Sequence, residues 1–227
     1  MLIEKYNYTP LSRKSDDGKR VYCLPDGSKV PSVTTILDKT KPQADKDSLN
    51  NWRKRVGAVN AQEITTEAAN RGTRMHKWLE DYVKNNRNMG EPGTNPYSIQ
   101  SHKMANQIVD QGLVHANEIW GIEVPLYVSG LYAGTTDACG VYKDNPAIID
   151  YKQTNRPKKT EWIEGYFLQL CAYGLAHNEV YDTNIRQGVI LMCSQAFEFQ
   201  TWTVEGDNWD MWTEKWLKRV ETYYKLS

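Results

Sequence analysis

The stretch Gly134-Thr135-Thr136-Asp137-Ala138-Cys139-Gly140-Val141-Tyr142-Lys143-Asp144-Asn145-Pro146-Ala147-Ile148-Ile149-Asp150-Tyr151-Lys152 decides how this chain is read. Apolar and β-branched residues flank the charges, and Lys143-Asp144-Asn145-Pro146 between them has the composition of a turn. The pattern predicts two antiparallel strands joined by a short loop. Side chains alternate across a strand, so Asp150 and Lys152 share a face, and a suitable register sets Asp137 beside them. Two carboxylates and an amine on one face suggest a metal site with a lysine. An isolated Asp-x-Lys is most often only a solvated strand end. Its meaning rests on the rest of the chain.

The 227 residues suit one domain with elaborations and are enough for a sizeable core. Hydrophobic residues make up 40% and aromatic ones 11%, with 8 Trp and 14 Tyr, which excludes a disordered chain. No apolar run approaches a membrane span, and the N-terminus MLIEKYNYTP lacks the apolar core of a signal peptide, so an intracellular, cytoplasmic protein is expected. Cys23, Cys139, Cys171 and Cys193 are too scattered for zinc or iron-sulfur ligation and read as free thiols. Formal net charge is zero, so any basic surface for a nucleic acid has to be local.

Asp17-Gly18 and Asp26-Gly27 flank Arg20-Val21-Tyr22-Cys23-Leu24 and predict a small antiparallel β-meander within residues 4–30. Ser32, Thr34 and Thr35 then offer either helix caps or phosphate contacts. From Ser48, Leu49, Trp52, Val56, Ile64, Ala68, Met75, Leu79 and Val83 recur at helical spacing, and Gly57 and Gly72 divide the run into two or three helices. Gly72, His76 and Glu80 fall on one stripe. Residues 85–100 are rich in Asn, Gly and Pro and read as a mobile loop insertion, followed by a helix to about Gly112. Strands are expected over 118–128, 131–142 and 147–152, a basic loop over 155–160, a helix over 161–177 and closing strands over 189–193 and 197–204. Trp209, Trp212, Trp216 and Val220 give the last helix, 207–224, an apolar stripe that reads as core.

In chain order the motifs are Gly72-Thr73-Arg74-Met75-His76, Gly134-Thr135-Thr136-Asp137, Asp150-Tyr151-Lys152 and Gln169-Leu170-Cys171-Ala172-Tyr173. Together they resemble the PD-(D/E)xK nuclease superfamily in its RecB-like branch, and within it the phage and mitochondrial genome maintenance exonucleases, which also share the segment seen here as Pro31-Ser32-Val33-Thr34. The likeness covers roughly residues 30–205. Thr136 stands where the superfamily's name has proline, and the C-terminal cysteine cluster of its iron-sulfur members is missing.

The resemblance implies a mixed α/β (α+β) fold. Its restriction-endonuclease-like core has a central mixed sheet flanked by helices, with an N-terminal β-meander and a helical insertion or gate. The whole of 1–227 would be one nuclease domain: 1–47 for the meander and the Pro-Ser-Val-Thr segment, 48–117 helical with the loop 85–100, 118–205 the catalytic sheet and helix, and 206–227 the last helix. It further implies a site holding one or two Mg2+ or Mn2+ ions through His76, Asp137, Asp150 and the Tyr151 backbone carbonyl. Hard cations take carboxylate oxygens, and an imidazole ligand tolerates Mn2+. Asp137, Asp150, Lys152, Gln169 and Tyr173 are the expected catalytic set. Lys152 orients or deprotonates water or stabilises phosphate charge, and Gln169 and Tyr173 support it. Glu80 is expected to orient the imidazole, with a plain surface pair as its alternative.

Ser32, Thr34, Arg71, Arg74, Arg156, Lys158 and Lys159 are candidate DNA contacts, Arg53-Lys54-Arg55 a further basic cluster. The expected activity is metal-dependent exonucleolytic hydrolysis of DNA, single-stranded or at double-stranded ends, in replication, recombination or repair, with a recombination or replication protein as possible partner. The alternatives are an endonuclease or double-strand exonuclease of the same fold, and a non-catalytic nucleic-acid-binding module.

Overall fold

The computed structural model describes residues 2–16 and 19–226. The expected turn Asp17-Gly18 lies outside them. The N-terminal meander consists of β1 (Ser12–Asp16), β2 (Lys19–Cys23) and β3 (Lys29–Pro31), paired antiparallel in that order. Asp26-Gly27 supplies the turn before β3: Gly27 has φ +84°, and Asp26 accepts from the Ser28 N–H at 2.8 Å.

Three helices follow: α1 (Val33–Lys39), α2 (Gln43–Val56) and α3 (Ala58–Lys84). Helical structure therefore begins well before Ser48. Pro42 at the cap position of α2 pre-sets its backbone, and Gly57 with φ +84° turns the chain into α3. The residues at helical spacing are buried only in part. Among the described residues α2 buries none, and α3 buries only Ala61 before Arg71. Leu49 and Ile64 are exposed, so α2 and the first half of α3 project from the body, whereas Met75, Leu79 and Val83 dock. Residues 85–95 lead to α4 (Pro96–Gln111), capped by Asn95 and started by Pro96.

The central sheet contains β4 (Ala116–Val128), β5 (Tyr132–Tyr142), β6 (Asn145–Thr154), β7 (Gln187–Ser194) and β8 (Phe199–Glu205), in that spatial order. Neighbouring strands pair antiparallel except β6 with β7, whose parallel pairing requires the crossover helix α5 (Glu164–Tyr181). A separate 3-10 turn, Thr160–Trp162, precedes α5, and α6 (Gly206–Lys225) closes the chain. This is a mixed α/β fold with a mixed central sheet flanked by helices and an N-terminal meander. One face of the sheet packs on α3 and α4 through Met75, Leu79, Met104 and Ile108. The other packs on α5 and α6, where Trp209, Trp212, Trp216 and Val220 are buried as the spacing predicts. β7 is buried at every position, as a central parallel strand should be. All four cysteines are free thiols, and no helix among the described residues is long and apolar enough to cross a membrane.

His177 on α5 is fully buried beneath Tyr6, Tyr8, Trp120 and Tyr181, with Nε2 3.1 Å from the Tyr8 hydroxyl and Nδ1 2.8 Å from Thr183 Oγ1. Burial pushes its pKa down from 6.5 to about 4. The unfolded chain takes up this proton at the higher value, so stability is full above pH 6.5 and is lost as pH falls toward about 4. The shift is worth about 3 kcal/mol. The thermal midpoint is expected to drop across this window, with a shallower drop in His177→Gln, as followed by circular dichroism. An unchanged slope in the variant would assign the acid lability elsewhere.

Candidate active site

Strands β5 and β6 pair from Tyr142↔Asn145 to Ala138↔Ile149, and there the pairing stops. The next pair in register would be Asp137 with Asp150. Instead the Asp137 carboxylate accepts from the Tyr151 N–H at 2.7 Å, standing in for a lost backbone partner. On an extended strand a residue's N–H and C=O point to the same neighbour, so the Tyr151 carbonyl faces this gap as well.

On the other side of Asp137, β4 pairs through Ile122↔Ala138 and Val124↔Thr136, which brings Glu123 opposite Asp137. Glu123 has φ +50°, a left-handed conformation that costs a non-glycine residue about 1–3 kcal/mol. The distorted backbone directs its carboxylate to the same place. Ligand atoms of His76, Glu123 and Asp137 lie within 4.8 Å of one another, and His76 Nδ1 is 3.3 Å from Asp137 Oδ1. Glu123 was not singled out in the sequence. An acid between Ile122 and Val124, in a strand whose neighbours alternate inward, was the available signal.

Lys152 Nζ is 2.5 Å from Asp150 Oδ2, close in charge but poorly aligned for a hydrogen bond, so that buried oxygen lacks a proper donor. The Lys152 ammonium also lies 4.9 Å from the centre of the Tyr166 ring on α5. Burial opposes its charge, yet Asp150 and Asp137 outweigh burial and raise its pKa. Lys152 is therefore an ammonium at neutral pH. Burial pushes Asp150 up to about 6 despite the opposing pull of Lys152. For Asp137 burial also acts upward, but His76, Lys152 and the Tyr151 N–H prevail and lower it. For His76 the downward effect of burial is outweighed by Asp137, and its pKa is raised.

Gln169 donates to the Tyr173 hydroxyl at 3.1 Å. Tyr173 is buried against Gly134, where an added β-carbon would meet its Cε1 at 2.6 Å and its hydroxyl at 3.0 Å. The glycine of one motif thus seats the tyrosine of another. Gly72 similarly packs on Gln153, at 3.1 Å from a would-be β-carbon to Cγ.

Other expected site residues lie elsewhere or are already engaged. Glu80 pairs with Lys84, one turn on, and the carboxylates grouped with His76 are Asp137 and Glu123. Ser32 is buried and caps α1, accepting from the Thr35 N–H at 3.0 Å, and its hydroxyl is 2.9 Å from that of Thr34. Capping, not phosphate contact, accounts for Ser32. Arg71 is only 1% exposed; its Nε donates to Gln153 at 3.0 Å, another nitrogen donates to Asn155, and Glu67 is 3.5 Å away. It ties α3 to β6. Arg74 is half-buried beside the Tyr97 ring, while Arg156 and Lys159 are exposed and Lys158 half-exposed on the loop after β6.

No family model matches the chain. Mitochondrial genome maintenance exonuclease 1 from Xenopus tropicalis is 26% identical over 213 residues, covering 86% of this chain. The chain is similar to this exonuclease. Mitochondrial genome maintenance exonuclease 1 from mouse is 24% identical and that from human 23%, each again over 86% of the chain. The chain spans 58–59% of the length of these curated relatives. Among solved structures, a protein from Eubacterium rectale overlaps 69% of this chain and 68% of its own at TM-score 0.45 and 10% identity, a likeness too loose to argue from.

The close approach at Gly134 is directly testable. Gly134→Ala is expected to lower unfolding free energy by about 1–3 kcal/mol in urea melts, the usual cost of overpacking. In a Tyr173→Ala background, with the struck ring gone, the cost should shrink to less than half. Equal costs in the two backgrounds would place the strain at another contact.

Proposed function

We propose that this chain is a metal-dependent DNA exonuclease that prefers single strands, with Asp137, Asp150, Lys152 and His76 as the working set. The observation that carries this reading is the interrupted β5–β6 ladder, where Asp137, Asp150 and Lys152 meet with His76 and Glu123 alongside. Similarity to exonucleases over 86% of the chain supports it.

The donor set fits Mg2+ or Mn2+. It offers carboxylate oxygens and one imidazole, no thiolate, and a buried Asp150 oxygen lacking an aligned donor. When bound, such a cation neutralises phosphate charge and lowers the pKa of an attacking water. Asp137, Asp150, Glu123, His76 and the Tyr151 carbonyl would hold it. Lys152, an ammonium held between Asp150 and the Tyr166 ring, stabilises negative charge developing on the phosphate and is not available as a base while it keeps that proton. The Gln169–Tyr173 pair steadies the α5 side of the site from behind Gly134. DNA ends are the proposed substrate, and Arg74, Arg156, Lys158 and Lys159 the candidate phosphate contacts. The projecting α2 and first half of α3 would serve as the gate over a threaded strand.

End-labelled DNA in Mg2+ or Mn2+ is expected to be degraded by the wild type and at least about a hundredfold more slowly by Asp150→Ala and Lys152→Ala. Equal rates would remove both residues from the chemistry, and rapid cleavage of a closed single-stranded circle would exclude an exonuclease. Independently of activity, Mn2+ is expected to raise the melting temperature of the wild type, since it binds only the folded chain, and not that of Asp137→Ala. The same rise in the variant would refute the ligand assignment.

A further inference from the structure

Three aromatic side chains stand in solvent: Trp162 at 61% exposure, Tyr97 at 58% and Phe197 at 38%. Each has a cation over its ring: Lys159 at 5.4 Å from Trp162, Arg74 at 5.4 Å from Tyr97 and Lys103 at 5.9 Å from Phe197. Elsewhere among the described residues, cations sit on rings that are buried or half-buried, as with Trp120, Tyr142, Trp212 and Tyr223.

They flank the sheet from its two faces: Tyr97 and Phe197 meet Arg74 and Lys103 on the α3–α4 side, whereas Trp162 stands on the other side, where the neighbouring Ile163 packs with α5 and α6. Thr154 and Ser194 are paired at the carboxyl ends of the parallel strands β6 and β7. The loop bearing Trp162 leaves the first strand, and the turn bearing Phe197 leaves the second. Arg71, one turn before Arg74 on α3, reaches Asn155 at the start of that loop, which brings the Arg74–Tyr97 pair to the same end. Trp162 is one turn from Tyr166, whose ring lies 4.9 Å from the Lys152 ammonium, which sets it beside the site.

The rings are presented on fixed backbone and are not frayed. Gln200 clamps Lys158 from both sides, accepting from its N–H at 2.7 Å and donating to its carbonyl at 2.9 Å. Trp202 donates to Thr160 at 3.1 Å, and Ile163, next to Trp162, is buried. Asn95 accepts from the Tyr97 N–H at 2.9 Å, and Ser194 Oγ accepts from the N–H groups of Ala196 and Glu198, either side of Phe197. A rigid backbone, an exposed ring and a cation on that ring are what a base and its phosphate require. Glu161 and Glu164 lie beside Trp162 and thin the local positive charge, so the ring and not the field has to supply the contact.

We propose that Trp162 on the α5–α6 face of the sheet, with Tyr97 and Phe197 on the α3–α4 face, forms a base-stacking rim on the two sides of the site that receives single-stranded nucleic acid. The proposal rests on the nuclease reading for the direction of the strand, and on the rim alone for binding.

The test measures binding of the full chain in EDTA, by fluorescence anisotropy, to a labelled oligothymidylate and to an abasic oligomer of equal length. Trp162→Ala is expected to weaken oligothymidylate binding about tenfold and leave abasic binding unchanged. Trp162→Phe should retain most of the affinity, and Tyr97→Ala should lose a smaller part of it. Intrinsic tryptophan fluorescence should be quenched by oligothymidylate in the wild type and not in Trp162→Ala. Wild-type affinity in Trp162→Ala, equal loss on the abasic oligomer, or loss of self-association in that variant by sedimentation would overturn the rim. If cleavage depends on Asp150 while Trp162→Ala binds normally, the rim alone fails. If oligothymidylate binds through Trp162 and no metal supports cleavage, the nuclease reading alone fails.

Discussion

Everything at this site follows from the place where β5 and β6 stop pairing. Beyond Ala138 and Ile149 the backbone groups of β6 need new partners, and the Asp137 carboxylate takes the Tyr151 N–H. A side chain substituting for a ladder bond fixes that carboxylate far more tightly than rotamer preference alone. The same interruption frees the space in which Asp150, Lys152 and His76 meet. On the far side, Glu123 stands opposite the same aspartate with a left-handed backbone, between the pairs Ile122↔Ala138 and Val124↔Thr136. The β5–β6 ladder thus ends at Asp137, the β4–β5 ladder skips one pair there and resumes at Val124↔Thr136, and polar side chains line the gap.

That arrangement is electrostatically expensive without a guest. Burial raises Asp150 and pulls against Asp137, and both rely on Lys152 and His76 to remain charged. A like-charged cluster in a partly dry site persists only where the surrounding packing over-determines it. Here the packing consists of glycines and one arginine. Gly134 admits the Tyr173 ring, Gly72 admits Gln153, and buried Arg71 joins α3 to Gln153 and Asn155. Removing Arg71's partners would strand a guanidinium with 1% exposure, so the helix bearing His76 is held to the strand bearing Lys152 by a bond that is costly to break.

This explains what was legible in the sequence. Strand alternation and turn chemistry sufficed for the hairpin, and helical spacing sufficed for the Trp209–Trp212–Trp216 stripe, because both patterns are local and both faces are buried. The stripe through Leu49 and Ile64 marks the helices correctly, but periodicity says nothing of whether a partner covers their apolar face, and here those two residues are exposed. Glu123 was hidden because its role depends on a left-handed backbone that a strand pattern does not announce. Arg71 and Ser32 looked like phosphate ligands, since charge and hydroxyl are visible in a sequence and burial is not. Trp162 was hidden in the opposite sense, an apolar residue beside Ile163 that reads as core until Ile163 alone turns inward.

The division between sheet and rim has a physical logic. Groups that must keep fixed distances, the acids and Lys152, sit on strands whose backbones are bonded to neighbours or to side chains. In the proposed rim, the groups that would meet a ligand of variable sequence sit outside the sheet, where an aromatic face accepts any base. The two are joined rigidly, because Thr154 ends the strand of Lys152, its carbonyl accepts from the Gln195 N–H at 2.9 Å, and Gln200 clamps the loop that follows. Lys152 is the hinge of this logic. It leans on Asp150 within the sheet and on the Tyr166 ring of α5, four residues after Trp162. Held on these two sides the ammonium has a fixed place, and on the reading proposed above the rim would bring the strand to it.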